Sequence, residues 1–266
     1  MISSNIVGCV KDLWAGLAMW RLWLHLGWMD VVRRYRRTTI GPFWTTLSVG
    51  VFIGVSGFMY AGVFKQDLSS YLPYISTGFA VWVPLSTYLN ECASAFTGAE
   101  STVKQTRVPY FVFIMAGIVR NAIVFAHHLV IYVVVVLYVG FEAKLEMLLA
   151  VPAILAYVVN AAWAGIVVAV IGARFRDMQQ VVANLLVAVF FMTPIFWPAD
   201  SVRGQAQAVL VDLNVFHHFV DIVRAPMLGK APEMVSWYVV ILATIVGWTF
   251  ALWLYDRSRS RIVFWI

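Results

Sequence analysis

The sequence predicts an all-α integral membrane protein. An N-terminal amphipathic interface helix is followed by six transmembrane helices, with two short re-entrant or interfacial helices on the external side before the last span. Three observations carry the prediction. The 266 residues are 62% hydrophobic and 12% charged, where a soluble domain carries about 25% charged residues. Apolar runs of some twenty residues recur along the chain, about the length that 1.5 Å per residue needs to cross a ~30 Å hydrocarbon core. The 19 Lys and Arg residues gather between those runs, as the positive-inside rule requires. The formal charge of +6 is thereby spent on topology, and no basic face with interleaved aromatics is left for a nucleic acid.

The whole of residues 1–266 reads as one transmembrane domain. Residues 10–32 form the interface helix, with Leu13, Leu17, Trp20, Leu24 and Trp28 on one face and Leu22 and Leu26 on the far side. Arg21, His25 and Asp30 weigh against a span here, since each charge near a bilayer centre costs about 2.5–3.5 kcal/mol. The N-terminus lacks the basic region, apolar core and cleavage site of a signal peptide, so the leader is expected to be retained. RRYRRTTIGPFW, residues 33–44, follows: Arg33, Arg34, Arg36 and Arg37 cannot enter lipid, Gly41-Pro42 turns the chain, and Trp44 suits the lipid–water boundary.

The membrane region covers 44–255. The first span, 44–64, carries a Gly50/Gly54 pair that would let another helix approach closely, although glycine is frequent in membrane helices and ordinary packing is the commoner reason for it. The second covers 71–96, with Pro73 and Pro84 inside it. A polar connector, 100–109, leads to a third span ending near Gly140. The fourth covers 147–172 and the fifth 181–197. Segment 199–234 contains two apolar pieces, 206–213 and 215–223, too short to cross and suited to re-entrant or interfacial helices. The last span is 237–255, followed by the basic tail 256–261. Placing the leader, the connector, the Arg174–Asp177 loop and the tail on one side puts thirteen Lys and Arg there, against five on the other: Lys65, Lys144, Arg203, Arg224 and Lys230. That imbalance assigns both termini to the cytoplasm.

Glu91 and Arg120 are ionisable residues inside spans, where they pair with one another or face a substrate. His127-His128 and His217-His218 are poor metal candidates, because adjacent helix positions point about 100° apart and no full ligand set surrounds them; no metal is expected. Cys9 and Cys92 make neither a disulfide framework nor a zinc site. Sugars stack on aromatic rings, so Phe52, Tyr60, Tyr74, Trp82, Phe190 and Phe196 are candidates for a glycan path, although most membrane aromatics are packing or belts.

The order of RRYRRTTIGPFW, Lys104–Pro109, Arg174–Gln180, Met192–Pro198 and the segment 213–224 resembles the permease subunit of ABC exporters for cell-surface polysaccharides: O-antigen, capsule and teichoic acid. The resemblance runs from Leu13 to the last span. Where that family usually has Asn-Pro before its second short external helix, this chain has Asn214-Val215, a departure that bears on the shape of the external element.

The resemblance implies a transport subunit, not an enzyme, working in the bacterial inner (plasma) membrane on a lipid-linked polysaccharide. It further implies a homodimer of permeases with two nucleotide-binding ATPase subunits, which hold ATP and Mg. The chain has no GxxxxGK[ST] phosphate loop of its own, so no cofactor is expected on it. The resemblance makes Glu100, Lys104, Gln105 and Arg107 a coupling helix that docks the ATPase; as a bare pattern they are equally a charged loop between spans. Arg174, Arg176 and Asp177, with Arg33–Arg37, are anchors by the positive-inside rule and candidates for a cytoplasmic gate that meets a lipid pyrophosphate, whose oxygens fit the guanidinium fork. Alternative functions are an ABC exporter for drugs or lipids, or an integral membrane acyl- or glycosyltransferase. The latter has only His127 as a foothold, without paired aspartates.

Overall fold

The computed structural model describes residues 6–36, 38–41, 43–140, 144–202 and 204–266. Among these, every regular element is helical. The helices are α1 (Ile6–Ala18), α2 (Trp20–Tyr35), α3 (Phe43–Val63), α4 (Leu68–Cys92), α5 (Glu100–Gln105), α6 (Phe111–Val139), α7 (Ala150–Arg174), α8 (Met178–Met192), α9 (Gln207–Asp212), α10 (Val215–Met227), α11 (Met234–Ser258) and α12 (Ile262–Trp265). A 3₁₀ turn, Leu145–Leu149, continues directly into α7.

Four of the described helices are long and apolar enough to cross a membrane: α3, α6, α7 with its 3₁₀ turn, and α11. The other two expected spans have a different character. α4 is 25 residues long, but its serines, threonines, tyrosines and two prolines lower its hydropathy. α8 has 15 residues, about 22 Å at 1.5 Å per residue, short of a ~30 Å core. The chain leaves the helix at Thr193, so most of Met192–Pro198, expected at the end of the fifth span, is a non-helical reversal over Thr193–Pro198.

α4 is the centre of the bundle. It touches α3, α6, α7, α8 and α10, and from Ser76 to Trp82 each residue is buried. The helix continues through Pro73 and Pro84; the carbonyl of Pro73 accepts from the hydroxyls of Ser76 and Thr77 at 2.9 Å. Small residues set the close crossings, as expected where lipid gives no hydrophobic drive for association. Gly172 of α7 lies under the Ala93 backbone, and Gly247 of α11 lies under the Trp163 indole. Between α7 and α11, Asn160 Nδ2 donates to Thr244 Oγ1 at 2.8 Å, while Asn160 Oδ1 accepts from Trp163 Nε1 of its own helix at 2.7 Å. Tyr88 ties α4 to α7 by donating to the Ala161 carbonyl at 2.9 Å. α6 ends at Gly140, whose φ of +73° makes the left-handed C-cap that glycine adopts without strain.

The leader differs from the single helix expected over 10–32. It is two helices, broken at Met19, where ψ of 42° interrupts the helical run. Its two faces are distinct. Leu17, Trp20, Leu24 and Trp28 point outward, while Gly27 and Val31 are buried and Leu22 and Leu26 half-buried. The inward face is chosen by Gly27, because α2 lies so close to α6 that a side chain there has no room. Leu13, in α1, is buried, unlike the other four residues of the expected stripe. α1 packs on α11 as well as α6. There the Cys9 thiol faces the Leu252 carbonyl at 3.8 Å; burial, reinforced by Asp256, pushes its pKa up to about 11.

Gly50 and Gly54, a spacing that would admit another helix but is more often ordinary packing, meet little within the chain: Gly54 has open space and Gly50 only the tip of Ile131. Gly57, one turn further on, makes the close approach, under Leu72 of α4.

The α2–α6 crossing makes a direct prediction. A Cβ at Gly27 would lie 2.7 Å from the Ala116 carbonyl oxygen and 2.8 Å from Val119 Cβ. Gly27→Leu should destabilise the solubilised protein by about 1–3 kcal/mol, read as a lowered thermal unfolding midpoint. Gly54→Ala should leave that midpoint unchanged.

Candidate functional site

Two polar assemblies stand at opposite ends of α4, and an aromatic cluster lies between the one near its N-terminal end and α8. The first is an ion network. Arg120 of α6 donates from Nη1 to Asp30 Oδ2 of α2 at 2.8 Å, and from Nε and Nη2 to Glu91 Oε2 of α4 at 2.9 and 2.7 Å. Arg34 Nη2 reaches Glu91 Oε1 at 2.5 Å, and Asn121 Nδ2 donates to Glu91 Oε2 at 3.0 Å. Arg33 lies 3.4 Å from Asp30 Oδ1. The Arg120 and Glu91 side chains are 17% and 18% exposed, so water screens this pair little. The pairing of Glu91 with Arg120 suggested by the sequence is present. Asp30 and Arg34 complete it, and sequence reasoning had placed neither there; the available signal was an acid one helical turn before an arginine, in a leader adjoining two charged spans.

The candidate gate arginines thus fall into two neighbourhoods. Arg33 and Arg34 engage carboxylates, Arg36 is exposed, and Arg37 lies outside the described residues. Arg174 sits 5.5 Å from the Trp265 ring centroid and 5.4 Å from that of Phe175, while Arg176 and Asp177 are exposed. Arg176 lines a 290 Å³ cavity with Glu100, Thr97, Gln179 and Trp265. Here α5 lies against α12: Lys104 Nζ donates to Glu100 Oε1 at 2.7 Å and to the Ile266 carbonyl at 2.8 Å. Lys104 thereby holds the Glu100 carboxyl below the usual carboxylate range. Gln105 and Arg107 are exposed beside them. Connector, α7–α8 loop and tail, which the charge count put on one side, therefore share one end of the bundle.

The second assembly holds the Thr193–Pro198 reversal. A non-helical backbone at membrane depth is tolerated only where its polar groups find partners in protein or water. Arg224 of α10, 5% exposed, donates from Nη1 to the Pro194 carbonyl at 2.6 Å and from Nη2 to that of Ile195 at 3.2 Å. Tyr71 donates to the Phe196 carbonyl. Tyr74 reaches the carbonyls of Pro194 and Trp197, each at 2.9 Å. Asn214 Nδ2 donates to Thr193 Oγ1 at 2.8 Å.

Arg224, counted from the sequence as an external loop cation, is instead a buried clamp; the signal was its position between Ile222-Val223 and Ala225-Pro226 in an apolar helix. The Asn214-Val215 departure leaves α10 intact, because Asn214 Oδ1 accepts from the Phe216 amide at 3.0 Å as an N-cap. The two short external pieces expected at 206–213 and 215–223 are α9 and α10. His218 is buried with Nδ1 3.1 Å from Ser236 Oγ and Nε2 2.8 Å from the Asp212 carbonyl, a hydrogen-bonding role. Among the described residues no group of three or more potential metal ligands occurs.

Between these ends the six candidate aromatics join one connected face. Phe52 meets Phe79 at 5.0 Å between centroids, Phe79 meets Phe190 at 5.8 Å, and Trp82 meets Phe190 at 5.7 Å. Phe190 stacks on Phe196 at 5.5 Å, and Phe196 meets Tyr60 at 5.5 Å. Tyr60, Phe64, Tyr71 and Tyr74 follow in steps of 6.0–6.2 Å. Phe52 is 50% and Tyr60 38% exposed, whereas Tyr71, Phe79 and Trp82 are buried, so the α3 edge of this cluster opens outward from the bundle.

Two predictions test these assemblies. Arg120→Leu leaves Glu91 and Asp30 short of their counter-ion and should cost about 3–5 kcal/mol, as breaking a buried pair does; Arg120→Leu with Glu91→Leu should be milder, both read by thermal unfolding. Arg224→Met removes two charge-assisted hydrogen bonds worth about 1.5–3 kcal/mol each. Amide hydrogen exchange within 193–198 should then quicken by about tenfold or more while exchange in α6 stays unchanged.

The sequence profile described as ABC-2 type transporter matches residues 21–228. The chain is 25% identical over 186 residues to the O-antigen export system permease protein RfbA of Myxococcus xanthus, covering 70% of this chain and 72% of that one. To a protein of the same name from Klebsiella pneumoniae it is 20% identical over 222 residues, covering 82% and 86%. A second Klebsiella pneumoniae protein of that name is 20% identical over 174 residues, covering 65% and 67%. These matches bear out the resemblance drawn from the arginine/Gly-Pro junction and the Met192–Pro198 stretch.

Proposed function

The chain belongs to the ABC-2 type transporter family, and from that premise we propose that it is the membrane-spanning subunit of an ATP-driven exporter. Its cargo is a lipid-linked polysaccharide, O-antigen first and otherwise capsule or teichoic acid, moved from the cytoplasm across a bacterial inner membrane. ATP and Mg are held by a separate nucleotide-binding subunit, and two permease chains assemble with two such subunits. Six helices span: the four long apolar ones, α4 packed at the centre, and α8 extended by the Thr193–Pro198 reversal. Both termini are cytoplasmic.

The observation that carries this reading is the coupling of two ends through one helix. At one end α5, α12 and the α7–α8 loop form an exposed, charged surface, with α2 fixed to α4 and α6 through Arg120. At the other end of α4, the aromatic face and the clamped reversal offer rings for sugar to stack on. A motor docked on α5 and beside α2 therefore bears on the helix that carries the path. The O-antigen export names of its relatives support a glycan over a drug or simple lipid. α2 turns Trp20, Leu24 and Trp28 outward, as a helix lying in the membrane interface would.

Lys104→Glu with Arg107→Glu reverses the charge of the docking surface without touching the bundle core. It should lower recovery of the co-expressed ATPase with the tagged permease by about tenfold, a loss of roughly 1.4 kcal/mol, with permease levels unchanged. Deleting the gene should leave lipid-linked polymer inside the cell. A deletion strain with no such build-up would sink the glycan reading.

A further inference from the structure

Where α7 and α11 meet, Gly247 lies under the Trp163 indole. Beside that contact is a 440 Å³ cavity lined from α4, α7, α10 and α11, by Leu85, Leu89, Ala164, Phe219, Val246 and Phe250 among others. The volume lies within the ~300–1,000 Å³ of ligand pockets. Four of the described lining residues carry a polar side-chain group, and three have it committed. Tyr88 donates to the Ala161 carbonyl at 2.9 Å. Asn160 Nδ2 donates to the Ala156 carbonyl and to Thr244 Oγ1, each at 2.8 Å, and Asn160 Oδ1 accepts from Trp163 Nε1. The fourth, Tyr157, stands between this cavity and a smaller one of 60 Å³. A buried water needs about two to four polar partners, more than this lining offers, and no described lining residue carries a charge.

Depth selects the ligand further. Trp163 and Gly247 stand midway along the 25-residue helices α7 and α11, so the cavity lies in the middle of the hydrocarbon core, where no headgroup reaches. Val246 and Phe250 line it and are exposed on α11, so it opens to lipid on that side. Surrounding lipid is as apolar as the lining, and the hydrophobic effect favours neither place. The gain from filling the cavity is the dispersion contact that an empty one forfeits. No residue of α3 or α8, which carry the candidate glycan path together with α4, lines the cavity. It therefore suits a resident lipid and not the anchor of the cargo.

We propose that this cavity holds the end of one acyl chain of a resident membrane phospholipid, and that the chain supports the start of α10. Val215, Phe216 and Phe219 of α10 line the cavity, and Phe216 also meets Trp82 at 6.1 Å between centroids. Asn214, which caps α10 through the Phe216 amide, donates to Thr193 of the reversal. The acyl chain thus backs the point where α10, α4 and the reversal join. Only membrane insertion is required for this; the nature of the cargo is not.

The test uses the full-length chain in phospholipid nanodiscs doped with a phosphatidylcholine that carries a diazirine either at the end of one acyl chain or beside its ester. After irradiation, adducts are mapped by mass spectrometry. The end-labelled lipid should mark Trp163 and Phe216 as well as the exposed Leu137 of α6, and the ester-proximal label should miss Trp163 and Phe216. Ala243→Phe and Ala164→Leu fill the cavity, and in either variant adducts at Trp163 and Phe216 should fall by about tenfold, because the void that admits an apolar ligand is gone. Adducts at Leu137 should stay unchanged, and monodispersity with an unaltered thermal midpoint shows that the variant is folded. Amide exchange within 215–219 should quicken when the wild-type chain is stripped of lipid in detergent and slow again on adding phospholipid, with no such response in a filled variant. End-label adducts confined to outward residues such as Leu137 would overturn the proposal, as would adducts at Trp163 that persist in both folded variants. Displacement of the label by an equimolar polyprenyl phosphate would assign the cavity to the cargo's anchor and overturn it too. If neither variant folds, the contrast between end and ester labels on the wild-type chain decides alone.

Discussion

One arginine in the third long helix of the chain must be neutralised, and much of the architecture follows from how that is done. Arg120 lies ten residues into α6, at a depth where an unpaired guanidinium is costly. It takes Glu91 from α4 and Asp30 from α2, and Arg34 then balances the second oxygen of Glu91. The set ties α2, α4 and α6 to one another at fixed positions. The leader consequently belongs to the bundle, although its sequence suggests a surface helix, and Gly27 removes the side chain that would hold α2 off α6.

The same constraint explains what was legible in the sequence. Span lengths and polarity are strong signals because they answer to the bilayer, and α3, α6, α7 and α11 appear close to their expected bounds. The grouping of the basic segments at one end was equally legible, since Lys104, Arg174 and the tail meet through α12. The facing of α2 was not. A tryptophan stripe marks an apolar face but does not say whether that face turns toward protein or lipid, and the choice was made by Gly27 and Asp30 against partners about ninety residues away. The reversal at Thr193 was marked by Pro194 and Pro198, yet its partners Tyr71, Tyr74 and Arg224 come from elements remote in sequence. A carbonyl's need for a donor is predictable from sequence; the identity of the donor is a tertiary fact.

The aromatics show a third kind of legibility. Phe52, Tyr60, Tyr74, Trp82, Phe190 and Phe196 were chosen for ring chemistry alone, and aromatic residues are abundant enough in membrane helices that such a choice carries little weight. What joins them is packing of α3 and α8 on α4, together with the reversal, which turns Phe196 back onto Phe190. Phe79 and Phe64 serve as connecting rings that no chemical argument had selected.

These features meet in α4. Glu91 is one residue from its C-terminal end, and Tyr74 stands about 25 Å away at 1.5 Å per residue along the same helix. One end is bound by ion pairs to the elements beside α5 and the leader. The other is bound by phenol–carbonyl hydrogen bonds to the reversal and, through Arg224, to α10. Both attachments are directional, so a displacement imposed at Glu91 is not absorbed by the sliding of apolar side chains alone. The buried run from Ser76 to Trp82 leaves little room for the helix to bend, because close-packed interiors transmit strain instead of dissipating it. Tyr74, Phe79 and Trp82 are carried by this helix and packed beside Phe190 and Phe196, so the ring cluster and the ion network share one structural element.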